Sequence, residues 1–367
     1  MDDKNDLLAG ILSAGAEAFA GDAAQALLEA MPAGGAGFAP APFDGWRTVL
    51  AGRLQELAAA VASARPALFA AQVAWARELL AARGVSPEEF KTALACVRHV
   101  LKERLPERVR DDADSYLTAA LENFDGRPEP AAPSLSSDRA ADRLAAQYLL
   151  AVLEGNPHAA RERMLACARQ GWSVRDLFVD VLAPAAEEIG RMWHCGEITV
   201  SEEHLATATT RILLAQLAAQ ATPAPANGKT VLLTTVVGNQ HDLGAQMLAH
   251  LFELDGWRSL WLGPDIPPED LAAAVEFFES DLLALSVALT LHLPSVRATS
   301  AMVRRGTRGG DVVILAGGSA IGGDKELAAQ LGADGSAENA IDALALANRL
   351  CAGKKRREAP DASCGGP

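Results

Sequence analysis

The chain of 367 residues is short of cysteine, of positive charge and of any familiar catalytic pattern. Its five cysteines are scattered with no Cys-x-x-Cys spacing, which argues against a disulfide framework and for a reducing, cytoplasmic setting. The sequence reads as having no signal peptide and no apolar run of transmembrane length, so no membrane role is expected. Lysine and arginine number 33 against 47 acidic residues, a net charge of −14, which excludes a large nucleic-acid footprint. The basic cluster Lys354-Lys355-Arg356-Arg357 falls in the tail 351–367, which is expected to be disordered. No nucleophile–base pair, phosphate loop or EF-hand emerges. The glycine pairs 317–318 and 322–323 lack the Lys-Ser/Thr that a phosphate loop requires.

What is present is alanine and regular alternation. Half of the residues are hydrophobic, enough for buried cores in two or three domains. Residues 1–124 read as an all-α domain of globin-like size. Its first helix ends before a Gly/Ala/Pro-rich break, and others follow over about 44–64, 66–83, 86–105 and 106–124. Ser86-Pro87-Glu88-Glu89 is a helix start with Ser as N-cap and Glu89 closing a capping box; Phe90, Leu94, Val97 and Leu101 then face inward. Proline-rich 125–137 is a linker. Four amphipathic segments over 138–221 predict an antiparallel four-helix bundle. From 229 to 350, strands near 230–237, 258–263, 282–289 and 311–316, with a weaker fifth near 334–337, alternate with helices. That pattern demands right-handed crossovers and a parallel, Rossmann-like (flavodoxin-like) sheet.

The stretch Asn239-Gln240-His241-Asp242-Leu243-Gly244 follows the first of these strands and opens a helix. Such a junction lies at the carboxyl edge of the sheet, where α/β folds bind ligands. His241 could coordinate a metal there, Asn239 could accept a proton from its far ring nitrogen, and Gly244 leaves room for a bulky group. The hexapeptide resembles the Asp-x-His-x-x-Gly motif of cobalamin-binding domains, with Asn in place of the acid. Leu262-Gly263-Pro264-Asp265-Ile266-Pro267, Ser286-Val287-Ala288-Leu289-Thr290 and Gly317-Gly318 resemble that family's later loops, with Ala288 in place of a leucine. The resemblance implies that His241 is the lower cobalt ligand. It further implies that Asp242, Gly244, Ser286, Ala288, Thr290 and the Gly317–Gly318 pair line the cofactor site, the glycines making room for its nucleotide tail.

A second cluster lies in the predicted bundle. Arg191-Met192-Trp193-His194 ends its third helix and Glu203-His204 opens its fourth, gathering an indole, two imidazoles and a carboxylate at one end. This Trp-x9-Glu-His arrangement resembles the light-sensing module of CarH-type cobalamin photoreceptors. Carried over, Trp193 packs over the 5′-deoxyadenosyl group of adenosylcobalamin, Glu203 and His204 hold it, and His194 takes the upper cobalt position after light breaks the Co–C bond. Light would then change domain arrangement and association, in a non-catalytic sensor that is a homo-oligomer.

Those regulators begin with a winged helix-turn-helix, and none is read here, so direct repression is not expected. The N-terminal domain placed before such a module resembles instead the photocobilins, which pair cobalamin with a bilin such as biliverdin. In that reading His99 and Cys96 are the polar candidates, Arg98 and Lys102 meet propionates, and Trp46 and Trp75 line the pocket. His158, His250 and His292 read as surface or core residues, His292 with the option of lining the cofactor site. The resemblance to cobalamin-binding domains leaves two other functions open: a corrinoid methyl carrier serving a methyltransferase, and a cobalamin-binding antirepressor acting on a signalling or transcription-factor partner.

Overall fold

The structure, a computed structural model, describes residues 3–31, 38, 41–124 and 135–353. The predicted linker 125–137 lies largely outside the described residues, as does the basic cluster at 354–357. The chain divides into two compact units: Met1–Pro133 with Gly190–Val200, and Ser134–Ile189 with Ser201–Pro367.

The first unit contains the helices α1 (Asp3–Ala30), α2 (Pro42–Ala62), α3 (Pro66–Ala81), α4 (Pro87–Arg104) and α5 (Glu107–Glu122). Proline at the first turn starts three of them, where its missing N–H costs nothing. The capping box of α4 is complete: Ser86 Oγ accepts from the Glu89 N–H at 3.2 Å, and the Ser86 N–H donates to Glu89 Oε2 at 2.9 Å. Phe90, Leu94, Val97 and Leu101 are buried in one core with Trp46, Phe69 and Leu117.

One expectation needs correction. Among the described residues, the helical segment Lys4–Ala30 is long and apolar enough by length and composition to cross a membrane. In this fold Leu8, Leu12, Ala16, Ala20 and Leu27 instead bury one stripe of it in the helical core. The run escaped notice because charged and small residues interrupt its stripe, the pattern of a helix that faces protein on one side.

The second unit opens with α6 (Ala140–Leu153), α7 (Pro157–Arg169) and a short turn α8 (Val174–Asp176). A π-helical segment, Leu177–Leu182, then feeds α9 (Ala183–His194), whose last five residues count with the first unit. After α10 (Val200–Ala218) come β1 (Thr230–Thr235), α11 (Leu243–Leu254), β2 (Arg258–Trp261), α12 (Pro268–Phe277) and β3 (Leu282–Ser286). The chain closes with α13 (Leu293–Arg305), β4 (Val313–Gly317), α14 (Lys325–Gln330) and α15 (Ala340–Leu350). The four strands are parallel in the order β2-β1-β3-β4. The predicted fifth strand survives only as a single parallel bridge between Leu315 and Gly335. Cys351, assigned by composition to the tail, is fully buried, its thiol 3.8 Å from the Asp281 carbonyl.

Within α2, Arg53 and Glu56 form a buried ion pair at 2.7 Å. Burial pushes the Glu56 carboxyl up from 4.5 to about 7, although the Arg53 charge pulls the other way. The folded chain therefore holds this proton more tightly than the unfolded chain does. Its contribution is present below pH 4.5 and is lost as the pH rises toward 7. Urea unfolding should show stability falling across that window, and Glu56→Gln should flatten the fall. Ser86→Ala should cost about 1 kcal/mol in the same assay by removing the α4 cap.

Candidate functional site

The site grows from the pairing of β1 with β3. Their register sets Thr235 opposite Ser286, and the Val236 N–H extends the ladder by donating to the Ser286 carbonyl at 3.2 Å. Because β2 lies on one side of β1 and β3 on the other, the chain leaves β1 at the point where the strand order reverses. There the loop ends diverge and open a crevice. Loop 236–242 is fastened at several points. Thr235 Oγ1 donates to the Asn239 carbonyl at 2.6 Å, the Gly238 N–H donates to Asp265 Oδ1 at 2.9 Å, and Thr234 Oγ1 donates to the Gly263 carbonyl at 2.7 Å. The loop after β2, with Asp265 in the left-handed region at φ 66°, thus braces the loop after β1.

His241 stands exposed at this edge, and among the described residues no hydrogen bond or ion pair engages its imidazole. Asn239, two residues earlier, is fully buried. Its Nδ2 donates toward the His241 and Ser286 carbonyls at 3.4 and 3.3 Å, and its Oδ1 is buried with no partner. An unpaired buried carbonyl costs about 1–3 kcal/mol unless a donor reaches it. A rotated His241 N–H is a donor of the right kind, two residues away. Asp242 is buried too and forms a 2.6 Å ion pair with Arg211 of α10, tying the loop to the preceding helices. Sequence reasoning gave Arg211 no role, since nothing in a helical arginine announces a partner 31 residues ahead.

Below the edge lies a cavity of about 380 Å³. Gly244, Ser286, Gly317 and Gly318 line it together with Asn339 at the N-cap of α15, whereas Asn239, His241, Asp242, Ala288 and Thr290 lie outside its lining. Gly318 has φ 103°, and a Cβ there would collide with the Val287 carbonyl oxygen. Ser319 Oγ, next in the chain, donates to the Ala288 carbonyl at 2.9 Å. Thr290 is buried with Oγ1 unpartnered. The opposite wall was missed. Phe178 and Val179 of the π segment and Pro184 and Glu187 of α9 complete the cavity. The Phe178 ring lies 6.1 Å from that of His250 on α11. A π turn leaves no mark in hydrophobic spacing, so this wall was not legible.

His292 also belongs to this edge. Its ring approaches Gly238, where a Cβ would lie 3.0 Å from Nε2, and its Nδ1 is buried without a partner. Burial lowers its pKa, nearby His241 lowers it further, and Asp265 opposes both.

The second predicted cluster is divided between the units. Glu203 and His204 are paired in the second unit, at 2.8 Å from His204 Nδ1 to Glu203 Oε2, with Thr207 Oγ1 donating to the other carboxylate oxygen at 2.7 Å. Trp193 and His194 count with the first unit. There His194 is buried and stacks on Trp75 with ring centroids 4.6 Å apart. The bilin candidates do not converge. His99 is exposed and faces Glu103 at 3.4 Å, Arg98 and Lys102 both pair with Asp114, and Cys96 is half-buried. Trp46 is fully buried in the core, whereas Trp75 is 37% exposed. Helical spacing put Cys96, Arg98, His99 and Lys102 on neighbouring turns, but Arg98 and Lys102 take their partner from α5 and His99 takes its own from α4.

A glycine-lined cavity of about 380 Å³ at the sheet edge suits the tail of a cofactor, and the exposed His241 in the loop after β1 offers a metal ligand. Comparison with known proteins agrees. Residues 229–345 match the model of the B12 binding domain, and residues 144–218 match a second model of the same description. A corrinoid protein of Desulfitobacterium hafniense is 24% identical over 54% of this chain and 94% of its own. The HTH-type transcriptional repressor CarH of Myxococcus xanthus is 31% identical over 39% of this chain, which spans 47% of that repressor. The solved monomethylamine corrinoid protein of Methanosarcina barkeri superposes with a TM-score of 0.50 at 16% identity, over 57% of this chain and 100% of its own, and so shares the fold. The chain carries a B12-binding region.

Gly318→Ala should destabilise the second unit by about 2 kcal/mol or more, since it adds a steric clash to a backbone conformation that disfavours a side chain. Denaturant titration of the variant measures this directly.

Proposed function

We propose that this cobalamin-binding chain is a non-catalytic light sensor with adenosylcobalamin as its chromophore. The observation that carries the reading is the Trp193-x9-Glu203-His204 motif, with His194 directly after the indole, upstream of an unengaged His241. When bound, adenosylcobalamin would supply a cobalt–carbon bond that visible light cleaves. His241 would offer its imidazole from below, and Asn239 Oδ1 would fix the tautomer by accepting from the far nitrogen. The cavity under Gly317 and Gly318 would take the nucleotide tail. Glu203 and His204 would hold the adenosyl group, Trp193 would cover it, and His194 would be the imidazole held in reserve for the upper position. A ligand exchange of that kind is a local change able to bias domain arrangement and self-association, and through them a signalling partner. A bilin such as biliverdin as second pigment rests on domain order alone, and its pocket would draw on residues other than His99, Arg98 and Lys102.

A corrinoid methyl carrier is the competing reading. The match to the Desulfitobacterium corrinoid protein over nearly all of its length favours it. Asn239 argues against it. A carrier gains from an acidic partner that protonates as cobalt changes oxidation state, and an amide cannot do this.

Purified chain loaded with adenosylcobalamin should change its absorption spectrum irreversibly under green light. An unchanged spectrum with the cofactor bound overturns the proposal, and methylation of bound cob(I)alamin by a methyl donor with its partner protein would put the carrier in its place. His241→Ala should weaken cobalamin uptake by about tenfold or more, read by equilibrium dialysis, while Asn239→Asp should tighten it.

A further inference from the structure

The first unit holds the Trp193–His194 pair by contacts that neither cofactor binding nor the bundle motif requires. His194 lies face to face with Trp75 of α3, the ring planes 4° apart, and its Nε2 is 3.0 Å from the Trp75 carbonyl oxygen. The Arg83 guanidinium, just past the end of α3, sits 4.6 Å above the Trp193 ring. It donates to the Trp193 and His194 carbonyls at 3.3 and 3.5 Å. The turn that follows is built to fit. Gly196, at φ 73°, closes α9: its N–H donates to the Trp193 carbonyl at 3.1 Å, and the Glu197 N–H donates to the Met192 carbonyl at 2.8 Å. A Cβ at Gly196 would lie 3.2 Å from the Ala82 carbonyl oxygen, so the close approach to the end of α3 needs the glycine. Arg191 and Glu197 brace the same turn through two hydrogen bonds of 2.7 and 2.9 Å.

From this geometry we infer that Trp75 and Arg83 are positioning residues for His194: α3 is a latch that keeps its imidazole engaged until the latch opens. The inference rests on the functional reading above and deepens it by naming what regulates the reserve ligand. A ring nitrogen whose N–H donates to the Trp75 carbonyl cannot at the same moment give a lone pair to cobalt. Ligation by Nε2 must therefore follow loss of that contact and of the stack. An event in the N-terminal unit that shifts α3, such as binding of a second pigment, would act on the exchange by loosening or tightening the latch. The stack and the cation–π contact together are worth on the order of tenfold in the release equilibrium.

The test uses the full chain with Trp75→Ala and, separately, Arg83→Ala. Both side chains are solvent-exposed, so neither change removes core. Without cofactor, hydrogen exchange of 190–200 should quicken in both variants while that of 229–345 stays as in the parent. With aquocobalamin as the probe, the spectral change from water to imidazole at the upper position should form about tenfold more readily in the variants, and His194→Ala should abolish it. Unchanged exchange in 190–200, or equal imidazole ligation in parent and variants with aquocobalamin bound, overturns the latch and leaves the cobalamin reading intact. Failure of every form to bind aquocobalamin overturns both.

Discussion

The site depends on the register of β1 against β3. Thr235 lies opposite Ser286, and one further hydrogen bond, from Val236 to Ser286, carries the pairing past the last named residue of β1. Side chains alternate along a strand, so a slip of one residue would turn Thr235 and Ser286 to the wrong faces and break the bonds that hold Asn239 to both. Nothing downstream can repair such a slip. The cavity, the bracing by Asp265 and the glycine turn at 318 all take their positions from these two strands.

Among the described residues, Asn239 Oδ1, Thr290 Oγ1 and His292 Nδ1, from the segments after β1 and β3, are buried and unpartnered, and His241 in the first of those segments is exposed. Native proteins satisfy nearly all of their buried polar atoms, and a local concentration of exceptions marks a place where something else completes the bonding. The apolar character of the cavity beneath, set by Leu233, Leu248 and Phe178, suits a tail that is flat and weakly polar.

The helical part contributes in two different ways. Its π segment bends the run before α9 so that Phe178 and Val179 face the cavity. Its far end carries Trp193 and His194, which bond to Trp75 and Arg83 of the N-terminal helices.

The sequence by itself determined the strand–helix alternation, the parallel sheet, the α4 cap and the location of His241 and the paired glycines. All of these follow from local rules of spacing, capping and backbone freedom. It also erred in both directions: a fifth strand shrank to one bridge, and the apolar segment of α1 went unread. Only the tertiary structure decided that Asp242 pairs with Arg211, that a π turn forms the cavity wall, that His194 lies against Trp75, and that Arg98 and Lys102 serve Asp114. Each of these joins residues far apart in the chain, and the energy that selects them lies in long-range packing, which no local pattern encodes.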